Sequence, residues 1–318
     1  MRRIIPLELV GSEKLDFDLY DEKGEIIYKS GDELTPNFLM MLSYKKVYRK
    51  SEPVSLDFET KNIDTPKETI EYKSLISQTA TTSLIKNARQ VLKATFNKDR
   101  PAIAVCNATR DIIVEEVGSN IEKIECISQL RIFDEYTFSH TINVSSMSTA
   151  LGIVLGFNET DISDLALGAL LHDIGKMEVP KDILNKPGKL DPDEFQYMRS
   201  HSLLGYQYIK KKMGYDDKVA QVALEHQERY GGGGYPNGLK GKEISLFSQV
   251  TAIADVYDAL ISNRVYKRAI ASPDAIKIML SEGSESFNPY MLYKFIYMAN
   301  YKEAANLITG EKDGIKPN

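Results

Sequence analysis

The spacing of apolar and polar positions changes character along this chain. Near the start, short apolar stretches at residues 15–20 and 25–28 flank Asp21-Glu22-Lys23-Gly24, a polar loop ending in glycine, which predicts a β-hairpin. Thr35-Pro36 has the form of an N-cap followed by proline in the first helical turn. Phe38, Leu39 and Leu42 would be that helix's apolar face, and Val47-Tyr48 predicts a closing strand. Residues 1–50 are therefore expected to form a small β-containing α+β module, with a sensor or docking role as one reading and a stabilising appendage as the other. Residues 51–66 are polar and bracketed by prolines, as in a linker. From 67 to about 130 the pattern is helical and polar-rich, which predicts connecting helices or a dimerisation surface.

Beyond residue 131 the period is helical throughout. Val144, Met147, Leu151 and Val154 fall at i, i+3, i+7 and i+10, an amphipathic stripe. Residues 165–171 predict a mostly buried helix ending at His172-Asp173, with Gly175 as its stop. Asp191-Pro192-Asp193-Glu194 carries an N-cap, a first-turn proline and the glutamate of a capping box. Val219, Val222 and Ala223 mark a further stripe, and residues 250–262 another helix. Strand alternation is absent from this half. The expected fold class is mainly α: a helical bundle over 131–306, a polar tail at 307–318, and the small N-terminal module.

Composition adds exclusions. With 42% hydrophobic and 27% charged residues, the chain has globular rather than disordered composition. Its apolar runs fall short of the ~18–20 residues needed to cross a bilayer, and Met1-Arg2-Arg3 lacks a following signal-peptide core, so a cytoplasmic protein without a membrane span is expected. Forty Lys+Arg against 45 Asp+Glu, a net charge of −5, argues against a broad nucleic-acid surface. Cys106 and Cys126 are too few for a disulfide framework and suit buried positions in a reducing compartment.

Histidine is the informative residue. The chain has four, His140, His172, His201 and His226. Helical spacing turns each toward the core, His140 one turn before Val144 and His226 in continuation of the Val219 stripe. Asp255 shares a polar face with Thr251, Asp258 and Ser262 in an otherwise apolar helix. Four separately buried histidines with Asp173 and Asp255 would each incur about 1–3 kcal/mol unless satisfied. A shared metal centre satisfies all of them, and mixed imidazole and carboxylate donors suit Fe, Mn, Ni or Zn.

These residues carry a resemblance. His172-Asp173-Ile174-Gly175-Lys176 resembles the HD-x-G-K signature of the HD phosphohydrolase superfamily, and Gly234-Tyr235-Pro236 the motif of its HD-GYP branch. The blocks at 253–260, at Arg264-Val265-Tyr266-Lys267 and at Phe287-Asn288-Pro289 resemble the later HD-GYP blocks, so that the similarity spans residues 131–300. The resemblance implies a phosphodiesterase that hydrolyses cyclic di-GMP to pGpG or GMP, with cyclic GMP-AMP as a further substrate. It implies a first metal on His140, His172, Asp173 and Asp255, with Asp173 bridging to a second on His201 and His226, the pair being iron or manganese. A bridging hydroxide would attack phosphorus in line, with Asp173 and Lys176 as the catalytic residues. Lys176, Tyr235, Pro236, Asp258, Arg264 and Lys267 match substrate-binding positions. The glycine-rich loop at 231–241 would be a substrate-access lid or a contact for a diguanylate cyclase, and homodimerisation is a further expectation.

Two departures qualify the resemblance. Where the branch carries paired histidines this chain reads His226-Gln227-Glu228, so Gln227 is at best a weak ligand and the second metal is expected to be weakly held. Tyr136 replaces the glutamate that serves a third metal in some members, so two metals are expected. The alternative is a cyclic di-GMP binding or scaffold protein with little turnover.

Overall fold

A computed structural model describes residues 2–4, 14–15, 18–21, 23–32, 47–49, 74–96, 103–124, 127–132, 136–184, 186, 188–263 and 269–299. The helix expected after Thr35, the linker at 51–66, the tail at 307–318, Cys126, Arg264 and Lys267 lie outside the described residues. The chain divides into two compact units, one holding the N-terminal strands and the other the helices within Tyr72–Asn300.

The first unit contains a four-stranded antiparallel sheet of β1 (Arg2–Ile4), β2 (Leu19–Tyr20), β3 (Ile26–Tyr28) and β4 (Val47–Arg49), in the order β1-β4-β2-β3. The expected hairpin is β2–β3. Asp21 closes it by accepting the backbone N–H groups of Lys23 and Glu25 at 2.8 and 2.9 Å, the side-chain turn that makes aspartate favourable here. Leu19 and Tyr20 are buried on the sheet.

The second unit is helical. Helices α1 (Gln78–Phe96) and α2 (Ile103–Asn120) pack on each other and on α3 (Tyr136–Val154). Helix α4 (Glu159–Leu171) lies against α3 and begins at Asn158, whose side chain accepts from the Asp161 N–H. A short turn, α5 (Lys181–Leu184), precedes α6 (Pro192–Tyr208), whose Asp191–Glu194 capping box forms as the sequence predicts. Helix α7 (Asp217–Glu225) buries Val219, Ala220, Val222 and Ala223 against α4 and α6. Helix α8 (Leu246–Ile261) spans the centre and packs on α3, and α9 (Ser272–Ser286) and α10 (Pro289–Met298) follow. Cys106, Leu167, Leu171, Ile209, Val219 and Ala223 form one apolar cluster beneath α4, α6 and α7. Burial pushes the free Cys106 thiol up to about 12, consistent with a core role.

Gly175 is not the helix stop its position suggests. It lies inside a 3-10 turn, Ile174–Glu178, that continues from α4. A Cβ there would stand 2.0 Å from the His201 carbonyl oxygen and 2.5 Å from the Gly205 nitrogen. Only glycine lets α6 approach the His172-Asp173 turn this closely, and the approach carries His201 to Asp173. Among the described residues, no helix is long and apolar enough to cross a membrane.

Candidate metal centre

The site draws one residue or pair from each of five helices. His140 lies in the first turns of α3, His172-Asp173 at the end of α4, His201 in α6, His226 at the end of α7, and Asp255 in α8. All four histidines are buried.

Each imidazole is aimed by its Nδ1. His172 Nδ1 donates to the Ala169 carbonyl at 2.8 Å, His201 to Met198 at 2.7 Å, and His226 to Ala223 at 3.0 Å. A carbonyl only accepts, so Nδ1 holds the proton and Nε2 presents a lone pair. His140 is held differently, its Nδ1 lying 2.8 Å from Asp258 Oδ2.

The Nε2 atoms converge on two carboxylates. His140 stands 3.3 Å from Asp255 Oδ1 and 3.8 Å from Asp173 Oδ2, and His172 is 3.3 Å from Asp173 Oδ2. On the other oxygen, His201 and His226 lie 3.6 and 3.7 Å from Asp173 Oδ1. Two sets, His140–His172–Asp255 and His172–Asp173–His226, each have ligand atoms mutually within 4.8 Å. His172 Nε2 and Asp173 Oδ1 are buried without a hydrogen-bond partner. Such orphaned lone pairs are costly unless something coordinates them. A hydrogen-bonded Nδ1 behind an open Nε2 is the usual support of a metal-binding histidine. The donor set therefore fits divalent metal ions.

Charge follows the same division. Burial works against a charged His140, but Asp255 and Asp258 outweigh it and raise its pKa to about 9. Burial lowers His201 to about 4. Burial also opposes ionisation of Asp173, yet Lys176 and His172 hold its carboxyl well below the usual range.

The other expected residues are distributed unequally. Lys176 reaches Asp173 Oδ2 at 2.5 Å and is partly exposed. Gln227 is half-buried, its amide 3.5 Å from Asp255 Oδ2, at the edge of the cage. Asp258 does not open to substrate. It is wholly buried behind His140, its oxygens occupied by Arg131, His140, Asn143 and Ser262 at 2.8–3.2 Å. Of its expected polar-face partners, Thr251 is buried with its hydroxyl unpaired.

The loop at 231–241 is pinned rather than free. Glu228, buried, accepts the N–H groups of Asn237, Gly238 and Leu239 at 2.7–3.0 Å. The Tyr230 and Gly231 N–H groups donate to the Ser286 and Glu285 carbonyls. At Gly231 a Cβ would lie 2.9 Å from the Glu285 backbone. Tyr235 and Pro236 are half-buried, and the Tyr235 ring meets His201 edge-on at 6.2 Å between centroids. Arg131, Asn143, Glu228 and Arg199, which lies over Tyr235, were not singled out by the sequence. Glu228 alone had a signal, as the third residue of the block beginning at His226.

Inward-turned imidazoles around an adjacent His-Asp pair, in an all-helical frame, define a metal-binding helical domain. The HD domain profile matches residues 124–290, over half the chain, and the chain belongs to that family. It is 34% identical to a cyclic di-GMP phosphodiesterase, PA4108, of Pseudomonas aeruginosa, over 67% of this chain and 52% of that protein. It is 33% identical to a cyclic di-GMP phosphodiesterase of Thermotoga maritima, over 61% of this chain and 52% of that protein. The chain thus spans about half the length of these relatives. Bd1817, described as an HDG"Y"P protein from Bdellovibrio bacteriovorus, shares the fold, with a TM-score of 0.55 at 22% identity, over 92% of this chain and 97% of that one.

Proposed function

We propose that this protein is a metal-dependent phosphodiesterase that hydrolyses cyclic dinucleotides, cyclic di-GMP first and cyclic GMP-AMP second, to linear products of the pGpG or GMP kind. The observation that carries this reading is the convergence of four imidazole Nε2 atoms on Asp173 and Asp255 with two buried donor atoms left open. His140, His172, Asp173 and Asp255 would hold one divalent ion, and Asp173, His201 and His226 a second, iron or manganese. Such a pair supplies activation of a water nucleophile and neutralisation of charge on a phosphate in displacement at phosphorus.

The chain's own residues do the rest. Asp173 offers one oxygen to each half of the cage. Lys176 places a cation beside Asp173, where it can turn to a phosphate oxygen as negative charge grows. Tyr235 and Pro236 wall the His201 side. The domain plan of a catalytic part at 131–306 behind connecting helices, cytoplasmic placement, homodimerisation and a diguanylate cyclase contact through the pinned loop belong to the same proposal.

The test is metal analysis of anaerobically purified protein with a cyclic di-GMP hydrolysis assay under added Mn or Fe. Bound metal with linear product supports the reading; bound metal with no product from any cyclic dinucleotide sinks it. Gln227, standing where relatives of the HD-GYP type carry histidine, favours the second reading, a binding protein with little turnover. Tight cyclic di-GMP binding without hydrolysis would establish it.

A further inference from the structure

Arg199 lies two residues before His201 in α6, half-buried, with its guanidinium carbon 4.9 Å from the centroid of the Tyr235 ring. The same ring meets His201 at 6.2 Å and Phe195 at 6.3 Å, both edge-on. The Arg199 guanidinium makes no hydrogen bond or ion pair with any described residue. The neighbouring cations of the site do otherwise: Lys176 pairs with Asp173 at the cage itself, and Arg131 with the buried Asp258. A planar cation held against an aromatic face keeps its N–H fork directed outward and pre-oriented for a bidentate acceptor. Phosphate oxygens are the acceptors whose geometry that fork matches.

A cyclic dinucleotide carries two phosphodiesters in one ring. Cleavage at the Asp173 cage uses one, and ring closure keeps the other close by without a metal of its own. We infer that Arg199, stacked on Tyr235, binds the second, non-scissile phosphate and so selects cyclic dinucleotides over simple phosphodiesters. This rests on the phosphodiesterase reading above and adds a specificity residue to it. Tyr235 acts here as the platform that holds the guanidinium.

The experiment compares cyclic di-GMP with bis(4-nitrophenyl) phosphate, which has a single phosphodiester, on metal-loaded wild type, Arg199→Ala, Arg199→Lys, Tyr235→Phe and Tyr235→Ala. For Arg199→Ala, KM for cyclic di-GMP should rise roughly 10–100-fold, as loss of a charge-assisted pair predicts. Its kcat/KM for bis(4-nitrophenyl) phosphate and its metal content should stay at the wild-type level. Arg199→Lys should fall between, Tyr235→Phe, which keeps the ring, should preserve the wild-type ratio of the two kcat/KM values, and Tyr235→Ala should reproduce part of the Arg199→Ala effect. An unchanged KM for cyclic di-GMP overturns the inference, and so does an equal loss on both substrates, which would mean that Arg199 serves the cage. Wild type that cleaves only bis(4-nitrophenyl) phosphate overturns the substrate reading itself and the second-phosphate role with it. If turnover is too slow to follow, calorimetric titration with cyclic di-GMP reads the same ratio as Kd.

Discussion

His140 and His201 each bring an Nε2 to Asp173, at 3.8 Å from one oxygen and 3.6 Å from the other, yet they are held by opposite means. His140 rests on a carboxylate, Asp258, that is itself clamped by Arg131, Asn143 and Ser262. His201 rests on a neutral carbonyl of its own helix. The first half is therefore anionic and draws a proton onto His140 when no cation is present, whereas the second keeps a neutral imidazole. Identical side-chain types in one cage thus carry different charge, with the atoms behind the imidazoles setting the difference.

The sharpest break removes what both halves share. Asp173→Ala should abolish binding in both and leave cyclic dinucleotide hydrolysis at background, read by metal content and product assay. Asp258→Asn separates the halves. It keeps the size of the side chain but withdraws the charge behind His140, so affinity at the first half should fall about 10–100-fold while the second is retained, measured by metal titration. Equal losses in both halves would refute the division.

Acid and alkali should divide the halves in metal-free protein. The folded pKa of His201 is about 4 against an ordinary 6.5. As pH falls from about 6.5 to 4, the unfolded chain takes up a proton that the folded chain refuses, and stability drops by about 1–3 kcal/mol. His140, raised to about 9, has the reverse sign. Its contribution is full below about 6.5 and is lost as pH rises through 9. Denaturant midpoints across pH should show both limbs, with His201→Gln removing the acid one and Asp258→Asn weakening the alkaline one. The smallest effect is expected from Gln227→His. An imidazole at the cage edge should raise second-ion affinity by roughly 3–10-fold, because it suits transition metals better than an amide oxygen.

The convergence of the candidate ligands was legible in the sequence because metal chemistry restricts residue type and helical spacing restricts direction. His140, His172, His201, His226 and Asp255 all turn inward as their stripes predict. The helix starts at Asp191 and the hairpin at Asp21 were legible for the same local reason. What failed depends on contacts between distant segments. Asp255 and Asp258 share one face of α8, and only the packing of α3 decides that one faces the cage and the other backs His140. Gly175 reads locally as a stop, but its reason lies in the carbonyl of His201 in another helix. Arg199 has no motif at all, since its significance rests on a ring more than thirty residues onward.

Glu228 grips three consecutive amides, those of Asn237, Gly238 and Leu239. Because it holds main chain and not side chains, this grip is indifferent to the side chains at Asn237 and Leu239. Its tolerance should therefore be lopsided: exchange of residue types other than proline at Asn237 and Leu239, little at Gly238, whose φ of 68° favours glycine, and almost none for a residue added or deleted between Glu228 and Asn237. Such a segment can drift in spelling at those two places while its length stays fixed and Tyr235 still reaches His201.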